Sequence, residues 1–173
     1  MLAFLVLNLL SIASVRHPNV ASVFHLGRSG ENYFYAMEFV EGQTLESLTG
    51  RSGRLEMGLA LEIVSQVVAG LAAIHEQDLV HRDIKPSNIM VRRKDDGSIM
   101  AKLIDLGLAK SLSEPAAQTA ISTPGGFAGT PEFAGPEQFA GVPVDIRSDL
   151  YSLGATLWEM VTGHVVSGVP PLR

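Results

Sequence analysis

An octad of mixed polarity, His81-Arg82-Asp83-Ile84-Lys85-Pro86-Ser87-Asn88, followed downstream by Asp105-Leu106-Gly107, constrains this chain more than any other feature. It sets an acid, a cation and an amide in fixed order between a periodic stretch and a strand pair, with a second acid just beyond that pair. Ahead of it, Leu59, Ile63, Val67, Leu71 and Ile74 recur mostly every fourth residue, the spacing of a long helix buried on one face. Behind it, Val91 and Leu103 belong to two short strands joined through Lys94-Asp95-Asp96-Gly97, whose Asp-Gly pair signals a hairpin. A chain built this way mixes helices with short strands.

The remaining segments fit the same frame. After His17-Pro18-Asn19, the stretches Val20 to Leu26 and Tyr33 to Val40 flank a turn at Arg28-Ser29-Gly30 and read as a hairpin. Thr44 to Thr49 predicts a short helix, interrupted by Arg51-Ser52-Gly53. A second long helix is expected from about Val144 to Thr162, opened by Asp145 and closed near Gly163. Between them, Ser111 to Gly129 is rich in Ala, Ser, Thr, Pro and Gly and reads as a long loop, a length that is usually functional or disordered. No internal repeat or long linker divides the 173 residues. A single domain of this size buries roughly 70% of its unfolded surface.

Composition excludes several classes. With 46% hydrophobic and 18% charged residues the chain is globular throughout. Its net charge of -5 and pI near 5.5 give no basic field for nucleic acid. The absence of cysteine removes disulfides, thiol catalysis and cysteine-ligated metal sites, and fits a reducing compartment, so a cytoplasmic location is expected. Met1 to Val15 is apolar apart from Asn8, Ser11 and Ser14. This run reads either as a buried helix or as a membrane or targeting segment. The missing positive start and the stop at Arg16-His17-Pro18, short of the roughly 20 residues of a span, favour the buried helix, and no membrane partner is expected.

The octad has a chemical reading. Transfer of a phosphoryl group needs an oriented nucleophile and pre-placed positive charge against the phosphates. Asp83 can accept or steer a hydroxyl proton, Lys85 can sit against the transferred group, and Asn88 and Asp105 can offer hard oxygens to magnesium. Singly, each has a plainer explanation: Asp83 as a turn residue, Asn88 as a cap, Asp105-Leu106-Gly107 as a turn after a strand. The signal lies in their joint order, with the strand pair between them and Gly135-Pro136-Glu137 beyond. The histidines offer no rival: none sits at helical ligand spacing. A Ser-His-Asp hydrolase would want a Gly-x-Ser-x-Gly elbow that is absent.

On these residues the chain resembles a Hanks-type (eukaryotic-like) Ser/Thr protein kinase domain, truncated at both ends. The resemblance implies an α+β, protein-kinase-like fold. Residues 1–40 would form an incomplete β-rich small lobe, the end of its helix plus two strands, and residues 41–173 a partial, mainly α-helical large lobe. It implies transfer of the γ-phosphoryl of ATP, with Mg2+, to Ser or Thr of a protein substrate. Asp83 matches the catalytic base, Asn88 and Asp105 the magnesium ligands, and Arg82 the arginine that receives an activation-loop phosphate. Lys85, in Asp-x-Lys-Pro-x-Asn, and Thr130, in Gly129-Thr130-Pro131-Glu132, match the Ser/Thr class. Met37 would be the gatekeeper, backbone groups of Glu38 and Val40 would meet adenine, and Met90 would lie beneath the base. Asp149 matches a buried helix aspartate that accepts backbone bonds from the catalytic loop, and Thr119, Ser122 and Thr123 are candidate phosphorylation sites facing Arg82.

Some positions depart from the family pattern. No glycine-rich loop and no strand lysine precede the octad, and the position of the glutamate that pairs with that lysine falls on Asn8. Leu106 stands where Phe is usual, and Gly135 replaces Ala ahead of Pro136-Glu137. Glu137 is expected to lack its late arginine partner, and uncovered core faces would favour docking or self-association. As it stands the chain is expected to be a weakly active kinase. The alternative is a pseudokinase, a nucleotide-binding or partner-docking module without catalysis.

Overall fold

The computed structural model describes residues 14–29, 32–106, 130–140 and 142–166. Two antiparallel strands, β1 (Val23–Ser29) and β2 (Asn32–Met37), form the first hairpin, in register from His25↔Ala36 to Ser29↔Asn32 with an irregularity between Val23 and His25. Both strands run further into the turn than the sequence predicts. Val20 leaves the hairpin altogether and bridges in parallel to Leu103, because its buried side chain is wanted in the core below.

A short strand β3 (Gln43–Thr44) leads directly into helix α1 (Leu45–Ser52). Thr44 caps it, accepting the Ser47 N–H at 3.1 Å, and Gly53 ends it at φ +74°, a conformation open to glycine. Helix α2 (Met57–His75) carries the predicted stripe: Ile63, Val67, Leu71 and Ile74 are buried, while Leu59 is half-buried near its start. Strands β4 (Ile89–Arg93) and β5 (Ile99–Leu103) follow as an antiparallel pair. Gly97 supplies the left-handed turn residue at φ +84°, and Ser98 N–H closes the turn onto Asp96. β4 also pairs with β3, giving a three-stranded sheet in the order β3-β4-β5. A short helix α3 (Pro136–Ala140) precedes α4 (Ile146–Thr162). α4 begins two residues later than Val144 because Asp145 stands outside it as the cap, accepting from Arg147 N–H, and Gly163 closes it at φ +75°.

The core lies where α2 meets β5 and α4. Leu45, Ile63, Ile74, Ile84, Ile89, Leu103 and Met160 are almost fully buried there, and each such side chain contributes about 1.5 to 3 kcal/mol by leaving water. Asn19 ties this core to the hairpin. Its amide donates to the Ala101 carbonyl (2.7 Å) and to Gln66 Oε1 (3.0 Å), and its own carbonyl accepts Leu103 N–H (2.8 Å). Gly70 of α2 lets that corner approach, since a Cβ there would stand 2.8 Å from the Asn19 oxygen. α2 is also long and apolar enough to cross a membrane, but its stripe faces the protein core.

Candidate active site

The octad emerges from the end of α2 and is pinned from behind. Asp149, on α4 and wholly buried, accepts the N–H of His81 at 2.9 Å and of Arg82 at 2.8 Å. Its Oδ2 also lies 2.8 Å from His75 Nε2 at the end of α2. Removing a carboxylate from water is costly, and these three partners offset the cost while fixing the loop's backbone. Arg82 then adopts φ +66°, sparsely populated for a side-chain-bearing residue. Its carbonyl accepts the Gln138 side-chain N–H at 3.2 Å, and Gln138 Oε1 in turn accepts Gly135 N–H at 3.0 Å. His81 is fully buried, and burial pushes its imidazole pKa down.

On the other side of this backbone the functional groups converge. Asn88, buried in a single 3-10 turn (Pro86–Asn88), donates its amide to both the carbonyl and Oδ2 of Asp83, each at 2.8 Å. Lys85 Nζ lies 3.0 Å from the same Oδ2 and donates to Thr130 Oγ1 at 3.4 Å. The structure thus gathers Asp83, Lys85, Asn88 and Thr130 into one cluster, across 45 residues for the Lys85–Thr130 pair. A shallow recess beside it is lined by Arg82, Asp83, Thr130, Phe133 and Gln138.

Asp105 follows β5 at φ +60°, exposed, and its Oδ1 accepts a hydrogen bond from the Tyr35 hydroxyl of β2. Burial and the Asp105 carboxylate both push the Tyr35 phenol pKa well above its ordinary value, so it remains a donor. Met37 ends β2, half-buried opposite Val23, and Val40 is half-buried just beyond. Glu38 N–H donates to the Ser22 carbonyl at 2.8 Å and so is already engaged within the protein. The Glu38 carboxylate pairs with Lys102, which holds its pKa below the usual range. Met90 is half-exposed on β4, opposite Lys102.

Glu137 sits in α3 with its Oε1 buried and without a hydrogen-bond partner among the described residues. Gly135 makes that placement possible, for a Cβ there would stand 2.2 Å from the same oxygen. Thr119, Ser122 and Thr123, with Gly107 and Asn8, lie outside the described residues.

Tyr35, His75 and Gln138 enter the site without having been singled out in the sequence. His75 had a signal: it falls four residues after Leu71, a polar group at the end of an apolar stripe. Tyr35 and Gln138 had none, since their partners are 70 and 56 residues away.

The site's donors suit magnesium. Asn88 spends its N–H donors on Asp83, which leaves its amide oxygen as acceptor, and Asp105 retains Oδ2 beside the oxygen that Tyr35 holds. The described residues contain no group of three His, Cys, Asp or Glu that could hold a metal alone. One amide and one carboxylate oxygen fit an ion that draws its remaining ligands from water and phosphate.

The architecture is a protein-kinase-like fold. A solved structure of Rad53 1–466 in complex with AMP-PNP superposes with a TM-score of 0.75 and 25% identity, over 95% of this chain and 39% of that one. The protein kinase domain family matches residues 7–169, and the chain belongs to that family. It is 40% identical over 154 residues to the serine/threonine-protein kinase pkn2 of Myxococcus xanthus and 39% identical over 150 to pkn3 of the same organism. PrkC of Bacillus subtilis is 37% identical over 155 residues. These matches take in 89%, 86% and 90% of the chain but only 18%, 27% and 23% of the relatives' own lengths.

Proposed function

We propose that the protein transfers the γ-phosphoryl of ATP to Ser or Thr hydroxyls of protein substrates, with Mg2+, and that this chain supplies the catalytic loop and its support. The carrying observation is the cluster in which Asn88 and Lys85 meet on Oδ2 of Asp83 while Lys85 reaches Thr130. The names of the relatives and the AMP-PNP bound to the Rad53 neighbour support the same reading. In the lobe division that goes with it, residues 1–40 belong to the small lobe and 41–173 to the large one.

In this mechanism the acceptor hydroxyl donates its hydrogen bond to the Asp83 carboxylate. As its oxygen bonds to the γ-phosphorus, the bond to the β–γ bridging oxygen breaks, ADP departs and the proton passes to Asp83. Asn88 keeps that carboxylate from rotating away. Lys85, fixed between Asp83 and Thr130, places positive charge against the moving phosphoryl group. Magnesium, when bound at the Asn88 and Asp105 oxygens, supplies neutralisation of phosphate charge. Met37, the backbone at Glu38 and Val40, and Met90 form the adenine side, and Arg82 is the receiver of a phosphate on the segment that holds Thr119, Ser122 and Thr123.

The test is phosphate incorporation from labelled ATP into a Ser- and Thr-containing protein, comparing wild type with Asp83→Ala. Loss of a general base lowers the rate by about 10²- to 10⁴-fold. Equal labelling by the two proteins sinks the reading.

A further inference from the structure

We propose that Tyr35 is a positioning residue for Asp105, its hydroxyl holding Oδ1 so that Oδ2 is presented to the nucleotide-bound metal ion. The inference rests on the phosphoryl-transfer reading above and adds to it a residue from the opposite side of the cleft. Tyr35 sits in the middle of β2, its backbone registered against Leu26 and its ring packed on the core cluster, so its hydroxyl has a defined origin. Asp105 is the reverse case. It is exposed, follows the last residues of β5 and stands in a left-handed backbone conformation.

Among the described residues the Tyr35 hydroxyl is the one hydrogen-bond donor to the Asp105 carboxylate. An exposed carboxylate with free χ rotation loses conformational entropy when it must adopt one geometry at a metal. A donor already in place removes part of that loss. Carboxylate ligands are generally held by such outer partners, and losing one costs roughly 10- to 100-fold in metal affinity. The hydroxyl donates to Oδ1, which leaves Oδ2 available. The bond also joins β2 to the loop after β5, across 70 residues of sequence.

The experiment titrates Mn2+ into the ADP complex and follows free Mn2+ by electron paramagnetic resonance, for wild type, Tyr35→Phe and Tyr35→Met. ADP affinity without metal is measured by calorimetry and Tm by a thermal melt. Both variants keep an apolar side chain on the core and lack the hydroxyl. The expected result is Mn2+ affinity about tenfold weaker in both, with metal-free ADP affinity and Tm close to wild type. Unchanged Mn2+ affinity overturns the positioning role, and tighter binding overturns it by making the hydroxyl a competitor of the ion. If wild type binds no Mn2+ with ADP, the phosphoryl-transfer reading falls and takes this inference with it. If wild type binds and the variants match it, only the inference falls.

Discussion

Two acidic groups near the His81–Asn88 loop, Asp149 behind it and Asp105 after β5, are held in opposite ways. Asp149 is fully buried and satisfied by two loop N–H groups and an imidazole. Asp105 is exposed and, among the described residues, is held by the Tyr35 phenol of β2. The rear of the site is thus part of the folding core, fixed by the same burial that fixes α2 and α4. The front rests, among the described residues, on a single side-chain hydrogen bond. A scaffold of this kind can vary its front without unfolding, but not its rear.

The sharpest attempt to break the contrast is Asp149→Ala, which strands two buried N–H donors and His75. A loss of about 3 to 5 kcal/mol in urea unfolding is expected, and a loss under about 1 kcal/mol would remove the distinction between rear and front. The next effect is a pH dependence at the rear. His81 has its pKa lowered from 6.5 by burial, so the unfolded chain takes up the proton first. The stability that the neutral form contributes is full above pH 6.5 and falls as pH drops toward the folded-state pKa, by at most about 1.4 kcal/mol per pH unit. Equilibrium unfolding at stepped pH should show that slope for wild type and a flatter one for His81→Gln. Asn88→Ala lies between rear and front, removing two bonds to Asp83. It should cost about 1 to 2 kcal/mol of stability, and phosphoryl transfer should fall by more than that loss explains. The smallest effect belongs to Thr44→Ala, at a residue that bonds to neither acid, where loss of the α1 cap costs about 1 kcal/mol. Its activity at a temperature well below Tm should match wild type, and a large drop would show that α1 couples to the cleft.

The rear was more legible in sequence than the front. Periodicity located α2 through Leu59, Ile63, Val67, Leu71 and Ile74, and the flanking Asp145 and Gly163 bracketed α4, because caps and stripes are local signals. The Asp96-Gly97 pair located the β4–β5 turn for the same reason. Shorter pieces escaped: β3 has two residues and α3 five, too few for any period to show. The bounds of the first hairpin also differ from those read in sequence, β1 starting at Val23 because Val20 pairs with Leu103, 83 residues distant. The ordered set Asp83, Lys85, Asn88 and Asp105 was readable as chemistry, whereas the Tyr35–Asp105 and Gln138–Arg82 bonds depend on how distant segments stack.

The attachment at Leu103 has a mechanical consequence. Both main-chain polar groups of that residue are committed to the segment before β1, its N–H to Asn19 and its carbonyl to Ala21. That fixes a fulcrum at the base of the hairpin. From there β1 extends seven residues, a lever arm of roughly 23 Å at about 3.3 Å per residue, so a rotation of about 10° at the base would carry the tip through roughly 4 Å by the same geometry. Small adjustments around Asn19 are therefore magnified into travel at the far end of β1.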